Sequence, residues 1–409
     1  MSTLHATWQN ELIAAVDADF ERIVQMRRHL HRYPEVSGEE YRTSLYLYQQ
    51  LSDDGVHVTM GPEGRGVIAD LCDPDTAAEG SVFVLRADID ALRIQDAKRV
   101  DYCSQHAGVM HACGHDAHAS CSVGALRAIA ALYRTGSLPL KPAVRAIFQP
   151  AEEICQGAVE MLQAGALQDA GAILAAHVDP TRRAGTVGVR DGVLTASCDE
   201  MVIVIEGEGG HAARPHESRD PIAAAAMLIN VLYQQIPRTT DSQDAVVVTI
   251  GQIQGGHTSN VIPEHVQLAG TMRTLDRAIR EQTMERISRI ANAVALATQT
   301  EIQVKFGVGT GPICNDARLM SVVREQAQAV LGADRVREIL RPSMGSEDFA
   351  FYLERIPGAM FRLGCASELV GSAGLHTSMF DIDEQCLAVG TKLLAATAVA
   401  WTLSQAGLQ

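Results

Sequence analysis

The sequence predicts an α/β protein in which a smaller domain interrupts a larger one. Three observations predict it. Four short apolar runs, "SVFVLRADID", "AVRAIFQPAEE", "GAILAAHVDP" and "GAMFRLGCAS", each lead into polar residues, as buried strands of an α/β sheet do. Helix-periodic stretches lie around them. The middle third changes character and reads strand, helix, strand, strand, helix, strand.

The elements follow in chain order. Leu12, Ile13, Val16, Phe20, Ile23, Val24 and Leu30 fall near helical spacing and predict an amphipathic N-terminal helix. The first apolar run, from Ser81, leads into Asp88 and Asp90, and a helix is expected to start near His115. The second, from Ala143, leads into Glu152 and Glu153, and the third, from Gly171, ends at His177. The fourth run is followed by a loop carrying His376. Ligands of open α/β sheets gather at the carboxyl ends of strands, so these polar residues could converge.

In the middle third, Met201–Ile205, Ala245–Ile253, His265–Arg273 and Glu301–Phe306 read as strands. Pro221–Gln235, with proline in its first turn, and Arg277–Thr298 read as helices. The order β-α-β-β-α-β is that of a ferredoxin-like domain. The expected division is therefore 1–192 and 308–409 for the larger α/β domain and 193–307 for the insertion. Helices near Ala317–Leu331 and Cys386–Leu403 complete the larger domain.

Composition excludes some classes. A chain of 409 residues suits about two domains, and 47% hydrophobic residues supply a core. The formal net charge is −15 with no basic stripe, which argues against a nucleic-acid partner. The N-terminus lacks the pattern of a secretory signal, and no run of about 18 apolar residues suggests a membrane span. Nine cysteines without a CxxC pair argue for reduced thiols and a cytoplasmic location.

The chemistry concentrates in "MHACGHDAHAS", residues 110–120. His111, Cys113, His115 and His118 are all metal-capable, and thiolate with imidazole suits zinc and its neighbours. Taken singly, each histidine also fits the surface of the helix that starts here; the cluster as a whole favours a metal, because Gly114 permits a tight turn between two ligands. Adjacent carboxylates on an extended loop face different ways, so one of Glu152 and Glu153 could bind metal while the other accepts a proton. A solvated acidic turn is the plain alternative there. For His177 the alternative is a core histidine, and for His376 a surface loop.

In combination, "RADIDALR", "GVMHACGHDAHAS", "QPAEE", "AAHVDP", "EGEGGHAARPHESRDPIAAA", "GGHTSNVIPE", "GTMRTL", "MGSEDFAFYL" and "GLHTSMFDIDE" occur in this order. The chain resembles the M20 family of metallopeptidases and aminoacylases, in the branch of N-acyl-amino-acid amidohydrolases that includes hippurate and auxin-conjugate hydrolases. The resemblance runs from "HLHRYPEVSGEE" to "VGTKLLAATA". It implies a zinc-peptidase-like catalytic domain and an inserted domain serving dimerisation or as a lid. It implies Cys113, His115, Glu153, His177 and His376 as ligands of two divalent ions, zinc first, with manganese, cobalt or nickel also suited. It implies Glu152 as general base and Asp90 as the carboxylate that orients a ligating imidazole. Asp88 stands where other M20 branches carry a metal histidine. His211 matches a histidine that reaches a partner subunit's site, and Asn260 and Arg273 match residues that bind a substrate carboxylate. Ser346 and Glu347 match the family's "GSEDF" loop without a role.

The expected activity is hydrolysis of the amide of a small N-acyl amino acid, acetyl or benzoyl in type, by a cytoplasmic homodimer or dimer-based oligomer with no nucleic-acid or membrane partner. Two departures bear on substrate choice: Arg93 follows Leu92 where the family often has proline, and Cys103 and His106 lie near the metal loop. Three other readings compete. One is a dipeptidase or aminopeptidase using the same site. The second is a non-catalytic metal-binding protein, against which Glu152 argues. The third is a hydrolase with Cys113 as nucleophile, which would survive chelation.

Overall fold

The four apolar runs become the four central strands of one sheet, all parallel, in the order Val144–Gln149, Val82–Asp88, Ala170–Arg183, Gly358–Ala366. Short strands extend both edges. Val67–Asp70 and His57–Met60 add antiparallel on one side; Val187–Val189 and Val336–Glu338 complete eight strands on the other. The structure is a computed structural model that describes residues 2–71, 78–138, 142–368 and 370–407. Cys72, one of the nine cysteines, lies outside them; the other eight are free thiols.

Strand periodicity explains how this sheet serves both a core and a site. Phe83, Leu85 and Ala87, then Val144, Ala146 and Phe148, then Leu174, Ala176 and Val178, then Phe361 and Leu363 all enter one core. That core is shared with helices Ser2–Arg32, His115–Arg134, Ala317–Leu331 and Gln385–Gln405. Side chains alternate along a strand, so the interleaved residues Arg86, Asp88, Gln149, His177 and Arg362 share the opposite face. Every residue of the first two strands is buried, as expected for a parallel sheet covered on both sides.

Two expectations are corrected. His177 is not at a strand end: its strand continues to Arg183, paired with Gly358–Ala366, and His177 stands opposite Arg362. Gln385–Gln405 is long and apolar enough to cross a membrane by length and composition, against the expectation of no such run. In the structure 72% of its most apolar window is buried, so the apolarity serves the core.

The chain divides into two units. One comprises Met1–Gly192, Cys314–Leu340 and Asp348–Gln409; the other comprises Val193–Ile313 and Arg341–Glu347. The second unit thus runs six residues beyond the expected end at 307 and takes in a separate short segment. Its antiparallel sheet has the order Val246–Gly255, His265–Thr274, Asp199–Glu206, Glu301–Phe306. Met201, Ile203, Ile205, Val266 and Leu268 on one face pack with Leu228, Leu232, Ile287 and Val294 of helices Pro221–Thr239 and Arg277–Thr298. Each helix starts on an aspartate: Asp220 accepts the N–H of Ile222 and Ala223, and Asp276 that of Ile279.

Candidate active site

Cys113 and His115 flank Gly114, whose φ is 84°. A Cβ there would lie 2.4 Å from Val178 Cγ2, so only glycine lets this turn press against the Ala170–Arg183 strand. His115 opens helix His115–Arg134, and its Nδ1 bonds Asp90 Oδ1 at 3.0 Å and the Asp90 carbonyl at 2.9 Å. Asp90 Oδ2 accepts the Ser37 hydroxyl at 2.7 Å and the Glu153 N–H at 3.0 Å. One carboxylate therefore orients an imidazole and pins the turn that carries both glutamates.

His115 Nε2 is buried and makes no hydrogen bond. It lies 3.8 Å from Asp88 Oδ2, 3.9 Å from Glu152 Oε2 and 3.9 Å from Glu153 Oε1. A buried, unpaired ring nitrogen among carboxylate oxygens fits a bound cation between them. His177 Nδ1 bonds the Val178 carbonyl at 2.8 Å, which turns Nε2 to within 3.6 Å of Cys113 Sγ. His376 adopts a left-handed φ of 59°, bonds the Ala112 carbonyl through its amide, and sets Nε2 3.2 Å from Glu153 Oε1.

These side chains form overlapping groups whose ligand atoms lie within 4.8 Å of one another: Cys113, His115 and His177; Cys113, Glu153 and His376; His115, Glu152 and Glu153. Cys113 belongs to the first two, and together those two contain the five residues expected as ligands. Thiolate, imidazole and carboxylate are donors suited to zinc and neighbouring divalent metals.

His118 also groups with Asp88 and His115, but both of its nitrogens are engaged. Nε2 accepts the Val178 N–H at 2.9 Å, which fixes the tautomer, so Nδ1–H donates to Asp88 Oδ1 at 2.6 Å. Asp88 in turn takes Arg86 Nη1 at 2.7 Å, and Arg86 Nη2 reaches Asp348 Oδ1 at 2.8 Å. His111 is buried with neither ring nitrogen hydrogen-bonded, and burial lowers its pKa to about 4. It joins no ligand group among the described residues.

The electrostatics ask for positive charge. Burial disfavours a charged His115, yet Asp88, Cys113 and the bond to Asp90 outweigh it and hold its pKa well above the usual value. Hydrogen bonds to Cys113 and Glu153 push His376 up to about 10. His177 goes the other way: burial, with Arg362 and His118 near, holds it well below the usual range, leaving a neutral donor.

Comparison with known proteins gives the family. The model for peptidase family M20/M25/M40 matches residues 84–400. The chain belongs to this family. Among M20 relatives it is 37% identical over 379 residues to the N-acetylcysteine deacetylase of Bacillus subtilis, covering 92% of this chain and 96% of that one. It is 34% identical to the N-acetyldiaminopimelate deacetylase of Bacillus pumilus, covering 92% and 97%. The crystal structure of Bacillus subtilis YxeP, described as a dinuclear metal-binding peptidase of the M20 family, superposes with a TM-score of 0.80 at 34% identity, covering 94% and 99%. The protein is an M20 amidohydrolase with the α/β fold of that family, as the resemblance implied.

The remaining M20-implied residues belong to the second unit. His211 and Asn260 are exposed and close: the Ala212 N–H bonds the Asn260 carbonyl at 3.1 Å, beside the His211–Val261 bridge. His211 Nδ1 accepts the Ala213 N–H at 3.1 Å. Arg273 Nη1 donates to the Met344 carbonyl at 2.9 Å, tying the Arg341–Glu347 segment to the sheet. The two departures are local: His106 Nδ1 bonds the Pro34 carbonyl at 2.6 Å, and Arg93 pairs with Glu39 at the surface. Sequence reasoning missed Ser37, Glu40, Arg86 and Asp348. Their signal was a polar residue inside an apolar run for Arg86, and the unassigned stretches "PEVSGEE" and "GSEDF" for the others.

Proposed function

We propose that the protein is a dimeric, cytoplasmic enzyme that hydrolyses N-acyl amino acids to a carboxylic acid and a free amino acid. The observation that carries this reading is the pair of ligand groups sharing Cys113, with the nearly buried Glu152 beside them. Cys113, His115 and His177 would hold one divalent ion, and Cys113, Glu153 and His376 the other. When bound, such ions supply Lewis acidity, lowering the pKa of a water from 15.7 to about 7 and polarising a carbonyl. Glu152 takes the proton from the attacking water and returns it to the leaving amine. Asp90 keeps the His115 ring aimed. Asn260 and Arg273 hold the amino acid's carboxylate, for which a guanidinium fork is suited. His211, from the partner subunit, stabilises the oxyanion. Zinc leads among the metals, with manganese, cobalt and nickel suited to the same donors. Relatives named for N-acetylcysteine and N-acetyldiaminopimelate support the substrate class, and free thiols support the location.

A dipeptidase or aminopeptidase is the second reading, favoured by the description of YxeP as a peptidase. A panel of N-acetyl and N-benzoyl amino acids run beside dipeptides, with and without chelator, separates the two. Turnover of the acylated substrates that stops on chelation and returns with added metal is expected. Faster turnover of dipeptides replaces the acylase reading with the peptidase one, and activity that survives chelation points to Cys113 as nucleophile.

A further inference from the structure

The turn that carries Glu152 and Glu153 begins at Ala151, whose φ is 52°. Residues with a Cβ seldom adopt this left-handed conformation unless neighbours impose it. Ala151 is fully buried, and Gln156 and Gly157 close the turn by donating to its carbonyl at 3.2 and 3.1 Å. Its own N–H points out of the turn to Glu40 Oε1 at 2.8 Å. Glu40 is fully buried, and the same oxygen accepts the Gly38 N–H at 2.9 Å. Three residues before Glu40, Ser37 donates to Asp90 Oδ2, the oxygen that holds the Glu153 N–H. The loop 36–40 therefore grips the turn at two points, at Ala151 directly and at Glu153 through Asp90.

We propose that Glu40 is a positioning residue for the hydrolytic reaction: by accepting the Ala151 N–H it imposes the left-handed turn that aims Glu152 at the substrate water and Glu153 at its metal. The proposal rests on the roles given above to those two glutamates. What matters is an acceptor at Oε1. Burial, with Asp90 near, raises the Glu40 carboxyl to about 7, and either protonation state leaves Oε1 free to accept. Glutamine reproduces that acceptor; alanine does not. Glycine at 151 adopts a positive φ freely and so removes the need for the hydrogen bond.

The test compares Glu40→Ala, Glu40→Gln, Ala151→Gly and the double variant Glu40→Ala/Ala151→Gly. Circular dichroism of the metal-free proteins checks folding. Cobalt(II) titration followed by absorption reads the metal environment independently of substrate, and kcat and KM on an N-acetyl amino acid read the reaction. Glu40→Ala is expected to lower kcat about ten- to a hundredfold with a smaller change in KM, and to alter the cobalt spectrum. Glu40→Gln and Ala151→Gly should stay near wild type, and the double variant should recover most of the lost kcat and the spectrum. Should Glu40→Ala fail to fold, Glu40→Met fills the space without an acceptor and takes its place. The proposal is overturned if the alanine variant keeps wild-type kcat and spectrum, if the glutamine variant falls as far as alanine, or if Ala151→Gly restores nothing. Full activity in Glu152→Gln would instead sink the assignment of the base, leaving the cobalt spectra to judge Glu40.

Discussion

His118 accepts the backbone N–H of Val178 on Nε2 at 2.9 Å and lies 2.6 Å from Asp88 Oδ1 through Nδ1, so both nitrogens of one of the cluster's histidines are engaged. His118→Ala is expected to keep both ions at saturating metal, whereas His115→Ala should lose an ion. The cost of the first change falls on stability, about 1–3 kcal/mol for the buried partners left unpaired on Asp88 and Val178. Metal content by emission spectroscopy and urea unfolding of the two variants check this. Loss of an ion from His118→Ala would return that histidine to the ligand set.

Glu152→Gln should retain metal and lose rate by a factor of about 10²–10⁴. The amide keeps the shape of a residue that is only 8% exposed but cannot take the proton. Metal content and kcat measured on one preparation decide it, and near-normal kcat removes Glu152 from the mechanism.

Cys113 belongs to two ligand groups, whereas His177 and His376 belong to one each among those that contain Cys113. Cys113→Ser is therefore expected to weaken both ions together, since a serine hydroxyl stays protonated where a thiol ionises. His177→Ala should weaken one and spare the other. Calorimetric titration of the metal-free variants distinguishes one lost site from two, and full stoichiometry in Cys113→Ser excludes the cysteine as a ligand.

Acid sensitivity is expected at Asp116. Burial opposes its carboxylate, but Arg27 at 2.9 Å and His31 at 2.7 Å outweigh that and hold its pKa far below the usual range. A depressed carboxylate contributes stability that is fully present above its unfolded pKa, about 3.9, and lost as pH falls towards the folded one. Asp116→Asn should cost about 3–5 kcal/mol near neutrality, as breaking a buried pair does. The gap between the Tm curves of the metal-free proteins should narrow below about pH 4. A gap that stays constant across the acid range would show that the pair does not titrate with folding.

Subunit complementation tests His211. Inactive Glu152→Gln chains mixed with inactive His211→Ala chains should regain up to about a quarter of the wild-type rate per site, because in half of the dimers one site combines an intact Glu152 with the neighbour's intact His211. Exchange shown by mass spectrometry without any returning activity would refute action across the interface.

The sequence made the central sheet legible because each strand announces itself locally, as an apolar run ending in polar residues. Aspartate caps at 220, 276 and 316 explain why helix starts were readable to within a residue. The metal-capable side chains that the structure gathers around Cys113 all lie in motifs quoted from the sequence. What escaped was pairing across long separations. Nothing near His118 says that its partner is Asp88, 30 positions back, nor near Arg86 that it meets Asp348, 262 positions on. The outlying strands His57–Met60 and Val67–Asp70, four residues each, are too short to carry a period. His177 read as a strand end because the polar residues beyond it hide a strand that continues on its neighbour's hydrogen bonds.

The strand Gly358–Ala366 lies beside Ala170–Arg183, and His376 follows it. A ribosome making this chain delivers Cys113, His115, Glu153 and His177 long before the strand that completes their sheet and the last expected ligand. Until then His177 stands on an uncovered sheet edge and Cys113 lacks His376 from one of its groups. Most of the second unit, the 193–313 stretch, emerges in between, so the groups around Cys113 close only after it has been made.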